Sequence, residues 1–287
     1  MKVGVIGAGA WGTALAIISA RGGADVTLWS YDGECKHFDD IEIPQNIKMT
    51  GQMSDLHDMD TWLIVTPGAF FRETLRRAHD TYNGQPIIIC TKGAESQTGQ
   101  FMSEILQSEL PECTEYGVLS GPQFAAEVAR GVPTGSTLAG TRGALIAGAD
   151  ALGKLYLEES DDIIGAQVCG VGKNALALIC GYNKVMARGE NERAMIFTRA
   201  WNEVMEIGMA MGGKMRTFLG LCGIGDLFLS ATSETSRNFS GGIAIAQGKT
   251  PSGTVEGIFA LSGLIARARD LGVETPILVQ MQEKLKI

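Results

Sequence analysis

Basic runs, long apolar runs and paired cysteines are all missing from this chain. Its longest basic block is Arg76-Arg77 and its net charge over 287 residues is -8, so no nucleic-acid-binding face is suggested. No uninterrupted apolar run approaches the roughly 20 residues needed to cross a bilayer, and no membrane-spanning segment is expected. Val3-Gly4-Val5-Ile6 imitates a short signal core, but it breaks into glycines and lacks a cleavage region. The six cysteines are scattered, without C-x-x-C and without a histidine at metal-ligand spacing. Disulfides and structural zinc are therefore not expected, no metal is implied, and a reducing cytoplasm fits. There is no internal repeat and no low-complexity tract. What remains is an ordinary globular balance, 45% hydrophobic and 20% charged, at a length that suggests about two domains.

From Met1 to about residue 165, short apolar runs alternate with helical stretches. Val3 to Ile6, Val26 to Trp29, Leu63 to Val65, Ile87 to Cys90 and Tyr116 to Leu119 are apolar without alternation, as a parallel sheet covered on both faces requires. Thr13 to Arg21, Ala69 to His79 and Gly99 to Gln107 have helical spacing, and a strand at Gly135 to Ala139 and a helix around Ala144 to Leu155 complete the set. This alternation predicts an α/β fold, a doubly wound Rossmann-type sheet domain over 1–165. After Asp161-Asp162 the character changes. Lys173 to Arg188 and Asn191 to Met211 read as long helices, no strand follows, and an all-helical domain over 166–287 is expected. Met205, Met209, Met211 and Met215 read as packing for its core.

Gly7-Ala8-Gly9-Ala10-Trp11-Gly12 matches G-x-G-x-x-G. The string is weak alone, but here it directly follows a strand and opens a helix. Its glycines serve a tight turn, close backbone approach to a pyrophosphate, and close helix–strand packing. The helix N-terminus then offers free N–H groups to phosphate. A dinucleotide cofactor, NADP or NAD, is implied. Where NAD enzymes carry an acid for the ribose hydroxyls, the chain reads Leu28-Trp29-Ser30-Tyr31, with its first acid at Asp32. Nothing there need repel a 2′-phosphate, and no arginine stands at the strand end to bind one. Use of both cofactors, with NADPH favoured, is the expectation.

Further strings stand where such a fold uses them. Thr91-Lys92-Gly93 lies just beyond the carboxyl end of an expected strand, the edge where open α/β sheets bind ligands. Ser120-Gly121-Pro122-Gln123-Phe124-Ala125 follows another. Lys173-Asn174, Gly223-Ile224-Gly225-Asp226, Ser236-Arg237-Asn238 and Val255-Glu256-Gly257 come in the helical part. With these residues in order, nearly the whole chain resembles the bacterial-type NAD(P)-dependent glycerol-3-phosphate dehydrogenases. The most specific strings are Leu119-Ser120-Gly121-Pro122 with Phe124-Ala125, then Gly131-Val132-Pro133-Thr134, and Gly225-Asp226-Leu227 with Ser236-Arg237-Asn238.

The resemblance implies reduction of dihydroxyacetone phosphate to sn-glycerol 3-phosphate, in the cytoplasm, for phospholipid synthesis, by a homodimer. It implies that Lys173 is the proton donor and acceptor, and that Lys92, Gly121, Gln123, Asp226, Ser236, Arg237 and Asn238 bind or orient the substrate. It places Gly7, Gly9, Ala10, Trp11, Gly12, Tyr31, Lys92, Ala125, Arg237 and Glu256 at the cofactor. The residue types suit that chemistry independently. Hydride addition to a ketone builds negative charge on oxygen, which a nearby ammonium stabilises and then protonates. A lysine titrates near about 10.4; a second cation such as Lys92 and partial burial lower that value, while Asp226 opposes the shift and fixes the direction. Arg237 offers a planar fork suited to phosphate oxygens.

Plainer readings stand beside these. Lys92 also fits an ordinary loop, Asp226 a helix N-cap before Leu227-Phe228-Leu229, and Arg237-Asn238 a solvated turn. Lys173 differs because it interrupts the apolar stretch Val168 to Cys180, where an exposed lysine is unnatural. His37, His57 and His79 match no family site. Four departures from the family pattern bear on activity. Gln123 stands where Ser or Thr is usual, Ala10 replaces a small hydroxyl residue, the Tyr31 to Asp60 segment is short, and the chain stops early at Ile287, so a terminal helix is expected to be missing or reduced. Two other functions stay open, a dehydrogenase of another small phosphorylated or hydroxy-acid substrate and a non-catalytic NADP-binding sensor. A sensor has no need of Lys173, Asp226 and Arg237 together.

Overall fold

The computed structural model describes residues 1–35, 38, 40–95 and 98–286. The chain divides into two units, one made of Met1–Lys92, Phe101–Leu119 and Gln123–Ile163, the other of Gly93–Gln100, Ser120–Pro122 and Ile164–Ile287.

The first unit is a sheet with helices between its strands. In chain order it holds β1 (Lys2–Ile6), α1 (Ala10–Arg21), β2 (Asp25–Trp29), β3 (Ile47–Thr50), β4 (Thr61–Ile64), α2 (Gly68–Ala78), β5 (Ile87–Ile89), α3 (Met102–Glu109), β6 (Tyr116–Ser120), α4 (Ala125–Arg130), β7 (Gly135–Gly140), α5 (Arg142–Leu152) and β8 (Tyr156–Ser160). The sheet order is β3-β2-β1-β4-β5-β6-β7-β8. Pairing is parallel from β3 through β6 and again between β7 and β8. At the β6–β7 seam the Thr141 N–H donates to the Tyr116 carbonyl at 3.0 Å. The order reverses between β1 and β4, so the crevice beyond their carboxyl ends is the binding edge of a doubly wound sheet.

The central strands are apolar on both faces because both are covered, with Val3, Val5, Val26, Leu28, Leu63 and Ile88 in one cluster with α1. Helix α1 is buried from Gly12 to Ala20 and is therefore apolar almost all round. Helix α2 buries one face only, through Phe71, Thr74, Leu75 and Ala78. Three elements were missed by the sequence reading. β3 and β8 carry Lys48, Glu158 and Glu159, so they lack the apolar run of an inner strand. The short α4 overlaps a motif string to which no secondary structure was assigned.

The second unit is helical: α6 (Ile163–Met186), α7 (Glu190–Ala210), α8 (Met215–Leu219), α9 (Asp226–Thr232), α10 (Arg237–Ala246), α11 (Glu256–Leu271) and α12 (Pro276–Leu285). No strand follows β8 among the described residues. Helix α6 is apolar over a length that a count of uninterrupted apolar residues does not reveal. Its 24 residues reach a mean hydropathy of 1.5 over an 18-residue window, enough by length and composition to cross a membrane. Lys173 and several small polar residues had broken the run. Within the unit, 72% of that window is buried, which is the placement of a core helix.

The methionine expectation also needs correction. Met209 and Met215 are exposed and Met205 and Met211 only half-buried; α7 buries Ile196, Ala200, Val204 and Ile207 instead. Residue type alone did not say which face of α7 turned inward. Among these apolar residues sits Glu203, whose carboxylate accepts from the N–H groups of Ile277 (2.8 Å) and Leu278 (2.9 Å). These are first-turn donors of α12, otherwise without intrahelical partners. Burial pushes the Glu203 carboxyl above its ordinary value.

Candidate active site

In the first unit the chain leaves β1 through Gly7 at φ +116°, where an added Cβ would lie 3.0 Å from the Thr66 nitrogen. Gly12 opens α1 against this turn so closely that a Cβ there would sit 1.8 Å from the Gly7 carbonyl oxygen. Gly9 is different: a Cβ on it meets nothing within 4 Å. The protein itself does not demand glycine at that position, whereas a ligand approaching the backbone does. Gly9 caps α1 without a side-chain bond, and the first turn holds no acidic residue. Its N–H groups and positive dipole end therefore suit a pyrophosphate. The residues present fit the implied dinucleotide.

Ala10 is exposed at the start of α1, and Trp11 packs half-buried against the sheet core. Tyr31, just past β2, is 78% exposed. Thr91 anchors the loop after β5 by donating to the Thr66 carbonyl at 2.7 Å, and Lys92 follows it, half-buried. Gln123 is half-buried, and its amide nitrogen donates to the Ser136 hydroxyl of β7 while Oε1 is buried. Ala125 begins α4.

In the second unit, Lys173 of α6 donates to Asp226 Oδ1 at 3.1 Å and to Ser230 Oγ at 3.0 Å, and Ser230 Oγ donates to Asp226 Oδ1 at 3.3 Å. The Asp226 carboxylate is 1% exposed and the Lys173 side chain 15%. Such a pair is held by mutual compensation, since either charge alone would be strongly desolvated. Asp226 is the first residue of α9, and Gly225 occupies the N-cap position, so the helix-cap reading of Asp226 is corrected. A wide π turn, Leu221–Gly225, precedes it. That turn folds back so tightly that a Cβ on Gly223 would lie 2.0 Å from the Phe218 carbonyl oxygen. The bulge aims the carboxylate at α6.

Beside Lys173, Asn174 donates to Glu256 Oε2 at 3.3 Å and accepts from Asn238 Nδ2 at 2.9 Å, while Asn238 Oδ1 accepts from the Gly257 N–H at 2.9 Å. This chain of amides ties α6, α10 and α11 together. The solvated-turn reading of Asn238 is thereby corrected: the residue is buried, because its amide satisfies two other elements. Ser236 is the N-cap of α10, accepting from the Phe239 N–H at 3.4 Å, and Arg237 behind it is exposed. Gly121 is buried in the segment after β6 that belongs to this unit.

Sequence reasoning missed Ser230 and gave Asn174 no role. Ser230 had a signal, since it lies four residues after Asp226 on the same helical face. Asn174 had none, because its partners come from two other helices. His57 and His79 lie exposed against Asp58 and Asp80, and His37 is outside the described residues. All six cysteines are free thiols, and no group of three metal-binding side chains occurs among the described residues.

The comparisons with known proteins cover both units. The model of the NAD-dependent glycerol-3-phosphate dehydrogenase N-terminus matches residues 2–145, and that of its C-terminus matches residues 162–286. The glycerol-3-phosphate dehydrogenase (NAD(P)+) of Parvibaculum lavamentivorans is 37% identical over 298 residues, covering 96% of this chain and 89% of that protein. That of Caulobacter vibrioides is 38% identical, covering 96% and 90%. The crystal structure of glycerol-3-phosphate dehydrogenase from Coxiella burnetii superposes with a TM-score of 0.90 at 30% identity, covering 99% of this chain and 94% of that one. The chain belongs to the NAD-dependent glycerol-3-phosphate dehydrogenase family.

Proposed function

We propose that this protein reduces dihydroxyacetone phosphate to sn-glycerol 3-phosphate with NADPH or NADH, with Lys173 as the proton donor and, in reverse, the acceptor. The observation that carries the reading is a half-buried ammonium fixed by Asp226 and Ser230, in a chain whose other unit holds a glycine loop fitted to a dinucleotide. Bound nicotinamide supplies the hydride. The chain's own residues supply position and charge. The Lys173 ammonium meets the negative charge that grows on the carbonyl oxygen and delivers a proton to it. Asp226 and Ser230 hold its Nζ in direction, so little reorganisation is needed as the reaction proceeds.

Arg237, exposed at the head of α10, offers a planar fork for the substrate phosphate, and Lys92, Gly121 and Gln123 are the further substrate residues of this reading. Ser236 and Asn238 act through the shape of α10, by capping it and by tying it to α6 and α11. The cofactor residues of this reading are Gly7, Gly9, Ala10, Trp11, Gly12, Tyr31, Lys92, Ala125, Arg237 and Glu256. A dinucleotide-binding role for 1–165, a substrate-binding role for 166–287, a cytoplasmic location, a homodimer and supply to phospholipid synthesis complete the reading, which family membership supports. The test is NADPH oxidation followed by absorbance, with dihydroxyacetone phosphate against dihydroxyacetone. Phosphate-dependent oxidation is expected. Absence of oxidation from folded, NADPH-binding protein would overturn the assignment.

A further inference from the structure

The sequence places no arginine at the end of β2, but the fold brings one there. Arg77, in the last turn of α2, lies with its guanidinium carbon 5.0 Å from the centre of the Tyr31 ring. This corrects the expectation that the strand end lacks a cation. The ring that supports it is largely exposed, and the Arg77 side chain is 45% exposed, so the pair faces solvent rather than the core. Among the described residues Arg77 makes one ion pair, from Nε to Glu73 Oε1 at 3.0 Å, and its side chain also hydrogen-bonds with that of Tyr31. Asp32 stands next to Tyr31, with its carboxylate accepting from the Glu34 N–H at 3.1 Å. That bond holds the Asp32 carboxyl below its ordinary value.

The location gives these groups a meaning. In a doubly wound sheet with the pyrophosphate at the head of α1, the adenosine ribose reaches the carboxyl end of β2. An acid there accepts from ribose hydroxyls, and an arginine there accommodates a 2′-phosphate. A guanidinium held against an aromatic side chain is pre-oriented, and a guanidinium fork matches phosphate oxygens. A purely structural role explains the arrangement less well. An exposed ion pair four residues apart on a helix contributes little to stability, so the fold has little need of an arginine at this position.

We propose that Arg77, braced on the Tyr31 ring, takes the 2′-phosphate of NADP(H) and so sets the preference for NADPH over NADH. Asp32 serves the ribose hydroxyls when NAD(H) binds, so the two cofactors use different side chains at one strand end. The proposal rests on the glycine loop being the dinucleotide site.

The experiment is calorimetric titration of the full chain with NADPH, NADH, 2′,5′-ADP and 5′-AMP, for wild type and Arg77→Ala. Loss of a charge-assisted phosphate contact at a partly exposed site weakens NADPH and 2′,5′-ADP about tenfold or more, and leaves NADH and 5′-AMP within about twofold. The wild-type advantage of 2′,5′-ADP over 5′-AMP shrinks as salt rises. Equal wild-type affinity for those two fragments overturns the proposal. So does an Arg77→Ala variant that keeps the NADPH-to-NADH ratio, whether both cofactors weaken together or neither changes. Wild-type protein that binds none of the four ligands overturns the cofactor-site reading itself, which is distinguishable from a loss of discrimination.

Discussion

Replacing Asp226 by asparagine is expected to destabilise the helical unit and to abolish most turnover, for the same electrostatic reason. The pair lies at 3.1 Å with Asp226 1% and Lys173 15% exposed, so bulk water screens it poorly. At an effective dielectric of about 20 the Coulomb attraction at this distance is on the order of 5 kcal/mol, set against a desolvation penalty of several kcal/mol for each ion. The intact pair is therefore close to balance, whereas Asp226→Asn keeps the cost of burying the ammonium and loses most of the attraction. About 3 kcal/mol of stability should be lost. For a chain of this length that lowers the melting temperature by about 6–10 °C. Lys173→Met alone should cost a similar amount, because it strands the carboxylate. The double variant Lys173→Met/Asp226→Asn should recover most of the loss, since no unpaired charge remains, and should stay inactive. Urea unfolding by circular dichroism and NADPH oxidation with dihydroxyacetone phosphate give the two readouts. Turnover should fall at least about 100-fold in all three variants. Additive losses in the double variant, or a loss below about 1 kcal/mol in Asp226→Asn, would refute the coupling.

Other perturbations separate folding from binding. Gly12→Ala would place its Cβ 1.8 Å from a backbone oxygen, whereas Gly9→Ala meets nothing within 4 Å. Gly12→Ala should therefore lower the melting temperature, and Gly9→Ala should leave it unchanged while weakening NADPH binding about tenfold or more, measured by thermal melts and titration. Glu203 has a carboxyl raised by burial, so its contribution to stability is fullest below the unfolded carboxyl value and is lost as pH rises through the raised folded value. The stability of wild type relative to Glu203→Gln should thus decline as pH rises past the ordinary carboxyl value, and a rising difference in chemical denaturation would show that the Ile277 and Leu278 bonds outweigh burial. Asn238→Asp cannot donate to Asn174 and buries a charge beside Glu256. A loss of about 2 kcal/mol or more is expected, and an unchanged melting temperature would remove Asn238 from the clasp.

Much of this protein was legible along the chain. The inner strands β1, β2, β4, β5 and β6 announced themselves because residues buried on both faces must be apolar without alternation. The glycine loop was legible because its constraints are local: Gly7 turns the backbone and Gly12 packs on it within a few residues. Lys173 stood out as a charge in an apolar run, and ordered strings implied Asp226 as its companion. The edge strands β3 and β8 were hidden, because half-exposed strands tolerate Lys48, Glu158 and Glu159. Tertiary structure alone decided the rest. Ser230 joins Lys173, Asn174 joins Asn238 and Glu256, and Arg77 reaches Tyr31 only because helices distant in sequence pack together. Composition and period record what each residue needs from its surroundings, such as burial, a turn or a free N–H. They carry no record of which distant side chain supplies it, since that pairing is set by the packing of whole elements.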